Sequence, residues 1–243
     1  MSEIDMTSLD NLKVKLYADG ADRDGMLEMY QEPYIQGFTT NPTLMKKAGI
    51  SDYEAFAHDI LQAIPDRPIS FEVFADEFDE MERQALKIRT WGENVYVKIP
   101  VSNTRQEMSY ALVRRLSDAG VRLNITAILT LSQVQAVADA VKDGPESIVS
   151  VFAGRIADTG LDPVPLMSEA LEILQAAPKA ELLWASPREV LNIYQANSIG
   201  CHIITATNDI IRKLSLASKD LAQYSLETVQ MFYDDAIRAG YQL

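Results

Sequence analysis

VYVKIP (95–100), YALVRRLSDAG (110–120) and RLNITAIL (122–129) follow one another along the chain, and their alternation decides the fold. The outer two are rich in β-branched and aromatic residues and apolar on both faces, as in parallel strands covered by helices. The middle one carries helical spacing and ends at Gly120, a C-cap candidate. A strand, a helix and a strand in that order predict a parallel sheet.

The same reading extends in both directions. Further strand-like runs are KLYADG (15–20), YIQGFTT (34–40), ISFEVF (69–74), SIVSVFAG (147–154), ELLWAS (181–186) and HIITAT (202–207). Helical spacing returns in AFAHDILQAI (55–64), LSQVQAVADAVKDG (131–144), PLMSEALEILQAA (165–177) and SPREVLNIYQANSIG (186–200). Ser132 and Asp162 are N-cap candidates, and Ser186-Pro187 is a helix start signal. Eight strands, nearly all followed by a helix, in 243 residues predict one α/β domain over 1–243, a (β/α)8 TIM barrel. An open, doubly wound sheet is the alternative. SLETVQMFYDDAIRAGYQL (225–243) is an additional amphipathic C-terminal helix, either closing the barrel bottom or contacting another subunit.

Composition narrows the function. A formal net charge of −13 repels nucleic acid and anionic membranes, so neither is an expected partner. A phosphorylated substrate stays open, because one or two local arginines can hold its phosphate. No apolar run approaches the roughly 20 residues of a membrane span. The start MSEIDMTSLDNLKVK lacks the pattern of a signal peptide. With a single cysteine, Cys201, a cytoplasmic setting is the simplest expectation. No nucleotide-binding motif occurs, His58 and His202 lack ligand spacing, and ADEFDEME (75–82) reads as a solvated helix start, so no cofactor or metal is expected.

In a parallel barrel the chemistry lies where the C-terminal strand ends converge. Polar residues at those ends are Asp19, then Thr39, Thr40 and Asn41, then Glu72, Lys98, Asn124 and Thr126, Ser150 and Arg155, Ser186 and Arg188. Lys98 is the anomaly, a lysine between Val97 and Ile99 on a strand expected to be buried. Apolar surroundings disfavour an ammonium, and a free amine is a nucleophile for a ketone. The plain alternative is an edge lysine or a buried ion pair. Asp19 and Glu72 can divide acid and base roles or serve as salt-bridge partners. Arg155 and Arg188 suit bidentate phosphate binding, with Ser186 at a helix start adding donors, or they pair with surface carboxylates.

With these residues in place, the chain resembles the transaldolase family. GFTTNP (37–42), VYVKIP, LNITAIL (123–129), VSVFAGRIAD (149–158) and ASPRE (185–189) stand in the order and register of that family's segments. The resemblance implies a Schiff base between Lys98 and a ketose donor. It implies that Asp19 takes the proton of the substrate hydroxyl that becomes the aldehyde, and that Glu72 and Thr126 hold a proton-shuttling water. Thr40, Asn41, Asn124 and Ser150 would meet the substrate's hydroxyls or its dihydroxyacetone part. Arg155, Ser186 and Arg188 would receive the phosphate. Sugar phosphates would be the substrates, and a homo-oligomer the assembly.

Similar proteins also include fructose 6-phosphate aldolases, which release dihydroxyacetone. Their pattern has glutamine where Glu72 stands and tyrosine where Phe152 stands, and a phenol can help protonate and release the fragment. Glu72 and Phe152 thus favour transfer over release. Pro187 and Trp184 depart from the family's pattern and are expected to alter the wall near the phosphate site. That leaves another anionic ketose, such as a sulfonated sugar, as an alternative donor. A sugar-phosphate-binding protein without catalysis, or a barrel isomerase using Glu72 as base, are the readings outside aldol chemistry.

Overall fold

The computed structural model describes residues 12–242 and shows a closed barrel of eight parallel strands in chain order. The strands are β1 (Lys15–Asp19), β2 (Ile35–Thr39), β3 (Ile69–Glu72), β4 (Val95–Pro100), β5 (Leu123–Ile128), β6 (Ser147–Val151), β7 (Ala180–Trp184) and β8 (Ile203–Thr207). Pairing of β1 with β8 closes the ring, which excludes the open sheet. The expected (β/α)8 barrel is the observed fold, and residues 1–11 and 243 of the expected domain lie outside the described residues.

Around it run α1 (Arg23–Tyr30), α2 (Pro42–Lys47), α3 (Tyr53–Ala63), α4 (Phe78–Ile88), α5 (Tyr110–Asp118) and α6 (Leu131–Val141). They continue as α7 (Ala153–Asp158), α8 (Pro163–Leu174), α9 (Leu191–Ser198), α10 (Asn208–Arg212) and α11 (Leu221–Ala239). Gly120 follows α5 with φ +75°, the left-handed value that suits glycine after a helix. Asp162 caps α8 by accepting from the Val164 amide at 3.0 Å. Thr130, not Ser132, caps α6, in a reciprocal arrangement with Gln133.

Strand alternation sorts the side chains. Val95, Val97 and Ile99 of β4 join the main core between sheet and helices, while Tyr96 and Lys98 turn inward. The lower interior is filled by Tyr17, Ile148, Leu183 and Ile203, with Tyr96 against them. Gly37 makes room for this plug, because a Cβ there would lie 2.5 Å from the Tyr17 ring. Above the plug the inward residues become polar, and that change of layer creates the site.

Three expectations change. The segment from Ser186 is not helical until Leu191. Ser186 has φ +57°, a left-handed turn, and Asn192 Oδ1 accepts from the amides of Arg188 and Glu189 at 2.7 and 3.2 Å. Ser186 therefore precedes a loop and is not at a helix start. Helix α7 is an extra turn of chain immediately after β6. At the C-terminus, α11 is helical as expected but has no buried residue, so it does not close the barrel bottom. Leu226, Val229, Phe232, Tyr233 and Ile237 stand at least half exposed along it.

Candidate active site

The C-terminal strand ends enclose a cavity of about 480 Å³. Asp19, Asn41, Glu72, Lys98, Asn124, Thr126, Ser150, Phe152, Arg155 and Ser186 all line it. Barrel register brings them together. Glu72 pairs with Lys98 across β3 and β4, Lys98 with Asn124 across β4 and β5, and Asp19 with Thr39 across β1 and β2. Each faces inward by the same strand periodicity.

Lys98 is buried, and its Nζ lies 3.2 Å from Glu72 Oε2 and donates to the Thr40 carbonyl at 3.0 Å. The apolar neighbours in the sequence point outward, so the amine sits in a polar chamber with an ion-pair partner. This unites the two readings of the residue, since a paired lysine can also face a ligand cavity. Tyr53 of α3 donates to the Glu72 carbonyl at 2.9 Å and braces that strand end.

Asp19 is deeply enclosed. Burial pushes its carboxyl above the ordinary range, while the Lys98 charge and the Thr39 hydroxyl pull it back down. Burial favours the neutral acid and the other two favour the anion. Asn124 is locked at both ends of its amide. Nδ2 donates to Ser70 Oγ at 3.0 Å, and Oδ1 accepts from Ser150 Oγ at 2.6 Å. Asn41 caps α2, its Oδ1 accepting from the Leu44 amide at 3.0 Å, which leaves its amide nitrogen for the cavity. The buried Thr126 hydroxyl has no hydrogen-bond partner among the described residues. A buried hydroxyl of that kind is a ready site for a small polar molecule. Ala127 beside it has φ +62°; backbone strain of this kind clusters at functional sites.

The anion end is less uniform. The Arg155 guanidinium lies 5.5 Å from the centroid of the Phe152 ring, a stacked position that leaves its edge free for an oxyanion. Arg188 does not line the main cavity. It faces an adjoining one of about 350 Å³, shared with Asp19, Ser186 and Thr205. Its guanidinium grips Asp158 of α7 through two contacts, Nε to Oδ1 at 2.9 Å and a second from the terminal nitrogen. That contact holds the Asp158 carboxyl below the ordinary carboxylate range. Thr40 is also displaced from the expected role: its hydroxyl donates to the Ser70 carbonyl at 2.8 Å, and only its backbone oxygen serves the site, through Lys98. Trp184 is fully buried in the layer between sheet and helices, so it does not shape the cavity wall. Its neighbours Leu183 and Ala185 do.

Among the described residues no group of three or more His, Cys, Asp and Glu side chains is disposed to hold a metal ion. No described helix is long and apolar enough to cross a membrane.

Comparison with known proteins gives this arrangement a family. Residues 16–243 match the model of Transaldolase/Fructose-6-phosphate aldolase. The chain belongs to the transaldolase/fructose-6-phosphate aldolase family. It is 33% identical over 202 residues to a probable transaldolase of Methanococcus maripaludis, covering 83% of this chain and 89% of that protein. Against a probable transaldolase of Streptococcus agalactiae the identity is 31% over 222 residues, covering 91% and 98%. Dihydrodipicolinate synthase from Rhodopseudomonas palustris shares the barrel alone, with TM-score 0.59, 14% identity and coverage of 91% and 80%. The protein is thus an enzyme of the transaldolase or aldolase kind.

Within this family member, sequence reasoning missed Ser70 and Thr205, and it named Thr39 at a strand end without giving it a role. Ser70 orients Asn124, and Thr39 and Thr205 bear on Asp19. Thr39 donates to Asp19 Oδ1 at 2.7 Å and lies 2.6 Å from Thr205 Oγ1. Ser70 stands two residues before Glu72, so strand periodicity alone could have placed it on the same inner face. Thr205 needed the closing of the ring, because β8 meets β1 only in a barrel.

Proposed function

We propose that this enzyme is a transaldolase-type transferase that moves a dihydroxyacetone unit from a ketose, most simply a ketose phosphate, to an aldose phosphate through a Schiff base on Lys98. The observation that carries the reading is Lys98 Nζ facing the cavity beside Glu72, with Asp19 and the Thr126 hydroxyl on the same walls. A sugar-binding protein without catalysis leaves that grouping unexplained. An isomerase using Glu72 leaves Lys98 unexplained.

Chemistry follows from the placement. Lys98 must shed a proton before it can attack, and Glu72 is the carboxylate within reach. The free amine adds to the ketone carbon, and the carbinolamine loses its oxygen as water, protonated from the Glu72 side with Thr126 helping to hold that water. Asp19 then removes the proton of the hydroxyl adjacent to the bond to be broken. The carbon–carbon bond opens, an aldose departs, and the electron pair stays as an enamine on Lys98. An aldehyde acceptor takes up that pair, Asp19 returns the proton, and water releases the product. A carboxyl raised by burial is the better base for this step at neutral pH. Ser150 fixes Asn124 so that its free N–H can meet a substrate hydroxyl. Arg155 and Ser186 receive the terminal anion, with Arg188 in reserve beside them.

Phe152 supports transfer over release. It has no hydroxyl to protonate the enamine, and Arg155 rests against its ring. The close alternative is an aldolase that frees dihydroxyacetone. A sulfonated ketose is a second donor class that the same arginines would accept.

Borohydride reduction in the presence of fructose 6-phosphate, followed by peptide mapping, tests the proposal. The expected result is a mass adduct on Lys98. An adduct on another residue would sink the mechanism. Steady release of dihydroxyacetone from donor without acceptor would replace the transferase with the aldolase.

A further inference from the structure

We propose that Thr205 of β8 is a positioning residue for Asp19, acting through Thr39 in a polarised chain of hydroxyls. The inference rests on the function proposed above and adds a residue that neither the family match nor the sequence motifs single out.

The polarity follows from counting protons. Thr39 Oγ1 lies 2.7 Å from Asp19 Oδ1 and 2.6 Å from Thr205 Oγ1. An ionised carboxylate only accepts, so the single Thr39 proton points to Asp19. Thr39 can then meet Thr205 only as acceptor, which makes Thr205 the donor. Both hydroxyls are buried, at 2% and 6% exposure, so water does not easily replace either link. With Oδ1 engaged, Oδ2 is the oxygen left to take a proton from the substrate, and no described residue donates to it. The chain therefore sets which oxygen acts and in which direction it points.

Placement supports the same reading. Asp19 and Thr39 are in register on β1 and β2, and Thr205 is in register with Tyr17 on the other side of β1. The three hydrogen-bonding groups thus straddle one strand, and the pair on β2 and β8 bounds the motion of the carboxylate between them. Charged groups facing Asp19 across the two cavities are Lys98, Glu72 and Arg155 in the main one, and Arg188 and Asp209 in the adjoining one. None of these is within hydrogen-bond distance of Asp19, so Thr39 holds it directly and Thr205 holds Thr39.

Thr205→Val keeps the shape and removes the donor. Thr39 then loses its fixed orientation, and the anionic form of Asp19 loses part of its support. A neutral buried hydrogen bond of this kind corresponds to roughly a three- to tenfold effect. The expected result is a fall of that size in kcat, with little change in KM, and an acidic limb of the kcat profile moved to higher pH. Thr205→Ser restores the donor and should restore both. The rate of borohydride labelling at Lys98 should stay at the wild-type value in each variant, because imine formation does not use Asp19. A Thr205→Val profile that superimposes on the wild type, or a Thr205→Ser enzyme as impaired as Thr205→Val, would overturn the relay alone. Absence of labelling in the wild type would overturn the lysine reading and the relay with it.

Discussion

Gly154 is where a single methyl group would do the most damage to one half of the site. It sits in the first turn of α7, and its amide donates to the Ala185 carbonyl at 3.2 Å. A Cβ at this position would lie 2.6 Å from the Ser186 carbonyl carbon and overlap the carbonyl oxygen. The obstacle is backbone, so no side-chain rotation relieves it. Clearing the carbonyl carbon to ordinary contact, about 3.5–4.0 Å, already requires the 185–188 segment to retreat by roughly 1 Å, and clearing the overlapping oxygen requires more. Ser186 and Arg188 move with it, and Arg188 Nε is itself only 3.4 Å from the added carbon. A misplacement of that size can cost about 10²-fold in rate. Overpacking should also lower stability by about 1–3 kcal/mol. Lys98 is three strands away on β4 and should be little affected. The assay compares kcat/KM of Gly154→Ala for a ketose phosphate and for an unphosphorylated ketone such as dihydroxyacetone, with Tm measured alongside. The expected outcome is a loss of about 10²-fold confined to the phosphorylated donor. An equal loss for both substrates, or no loss for either, would refute the assignment of this segment to the anion.

Lys98→Met should abolish turnover and lower stability by about 2 kcal/mol by leaving Glu72 without its partner; adding Glu72→Gln should recover most of the Tm and none of the activity. Asp19→Asn should be inactive yet more stable at pH 7. The folded carboxyl lies above its unfolded value because burial disfavours the anion, so the wild type loses stability as pH rises from about 4 through the folded value. The variant escapes that loss, and the gap in Tm should close below about pH 4. A Tm that falls at pH 7 would contradict the burial argument. We expect the apolar face of α11, with Phe232 63% and Ile237 64% exposed, to bury itself against a second copy. Sedimentation should show an assembly larger than one chain, and Phe232→Glu should reduce it without altering the barrel's circular dichroism.

How far the sequence could be read depended on the range of the interactions concerned. The strands were legible because each lies in a short run rich in β-branched, aromatic or aliphatic residues, and the register of β3 against β4 then puts Lys98 beside Glu72. Caps set by neighbours within four residues, such as Asp162, were legible too. Ser186-Pro187 misled, because the Asn192 side chain and a left-handed Ser186 hold the following residues in a loop that no local propensity announces. Arg188 reads as a phosphate ligand or as the partner of a surface carboxylate, and residue type could not point to Asp158, which lies on α7, 30 residues earlier. Thr205 carried no signal at all until the ring closed. The residues proposed to do the chemistry are conspicuous as charges on apolar strands, and those proposed to aim them are ordinary serines and threonines.

That division has a physical cause. An amine or carboxylate brought into a barrel core costs enough free energy that it must be rare, and rarity is visible in a single chain. A hydroxyl costs little to bury once bonded, so threonine is common in strands whether or not it holds a catalytic group. Lys98 stands out in VYVKIP for the first reason, and Thr205 disappears into HIITAT for the second. The anion end follows the same logic in reverse. Arg155 and Arg188 lie on a surface with many carboxylates, so their type alone cannot say whether substrate or Asp158 is the partner. In the structure Arg155 rests on Phe152 and is free at its edge, while Arg188 is held. Under the proposed function, a ketose phosphate arriving in the cavity would meet Arg155 first. It gains Arg188 only if its charge outbids that of Asp158, and a bidentate oxyanion with two charges is better placed to do so than a sulfonate with one. Asp158→Asn should accordingly narrow the preference between the two donor classes, read as the ratio of their kcat/KM values. A ratio that stays at the wild-type value would mean that Arg188 takes no part in recognising the substrate.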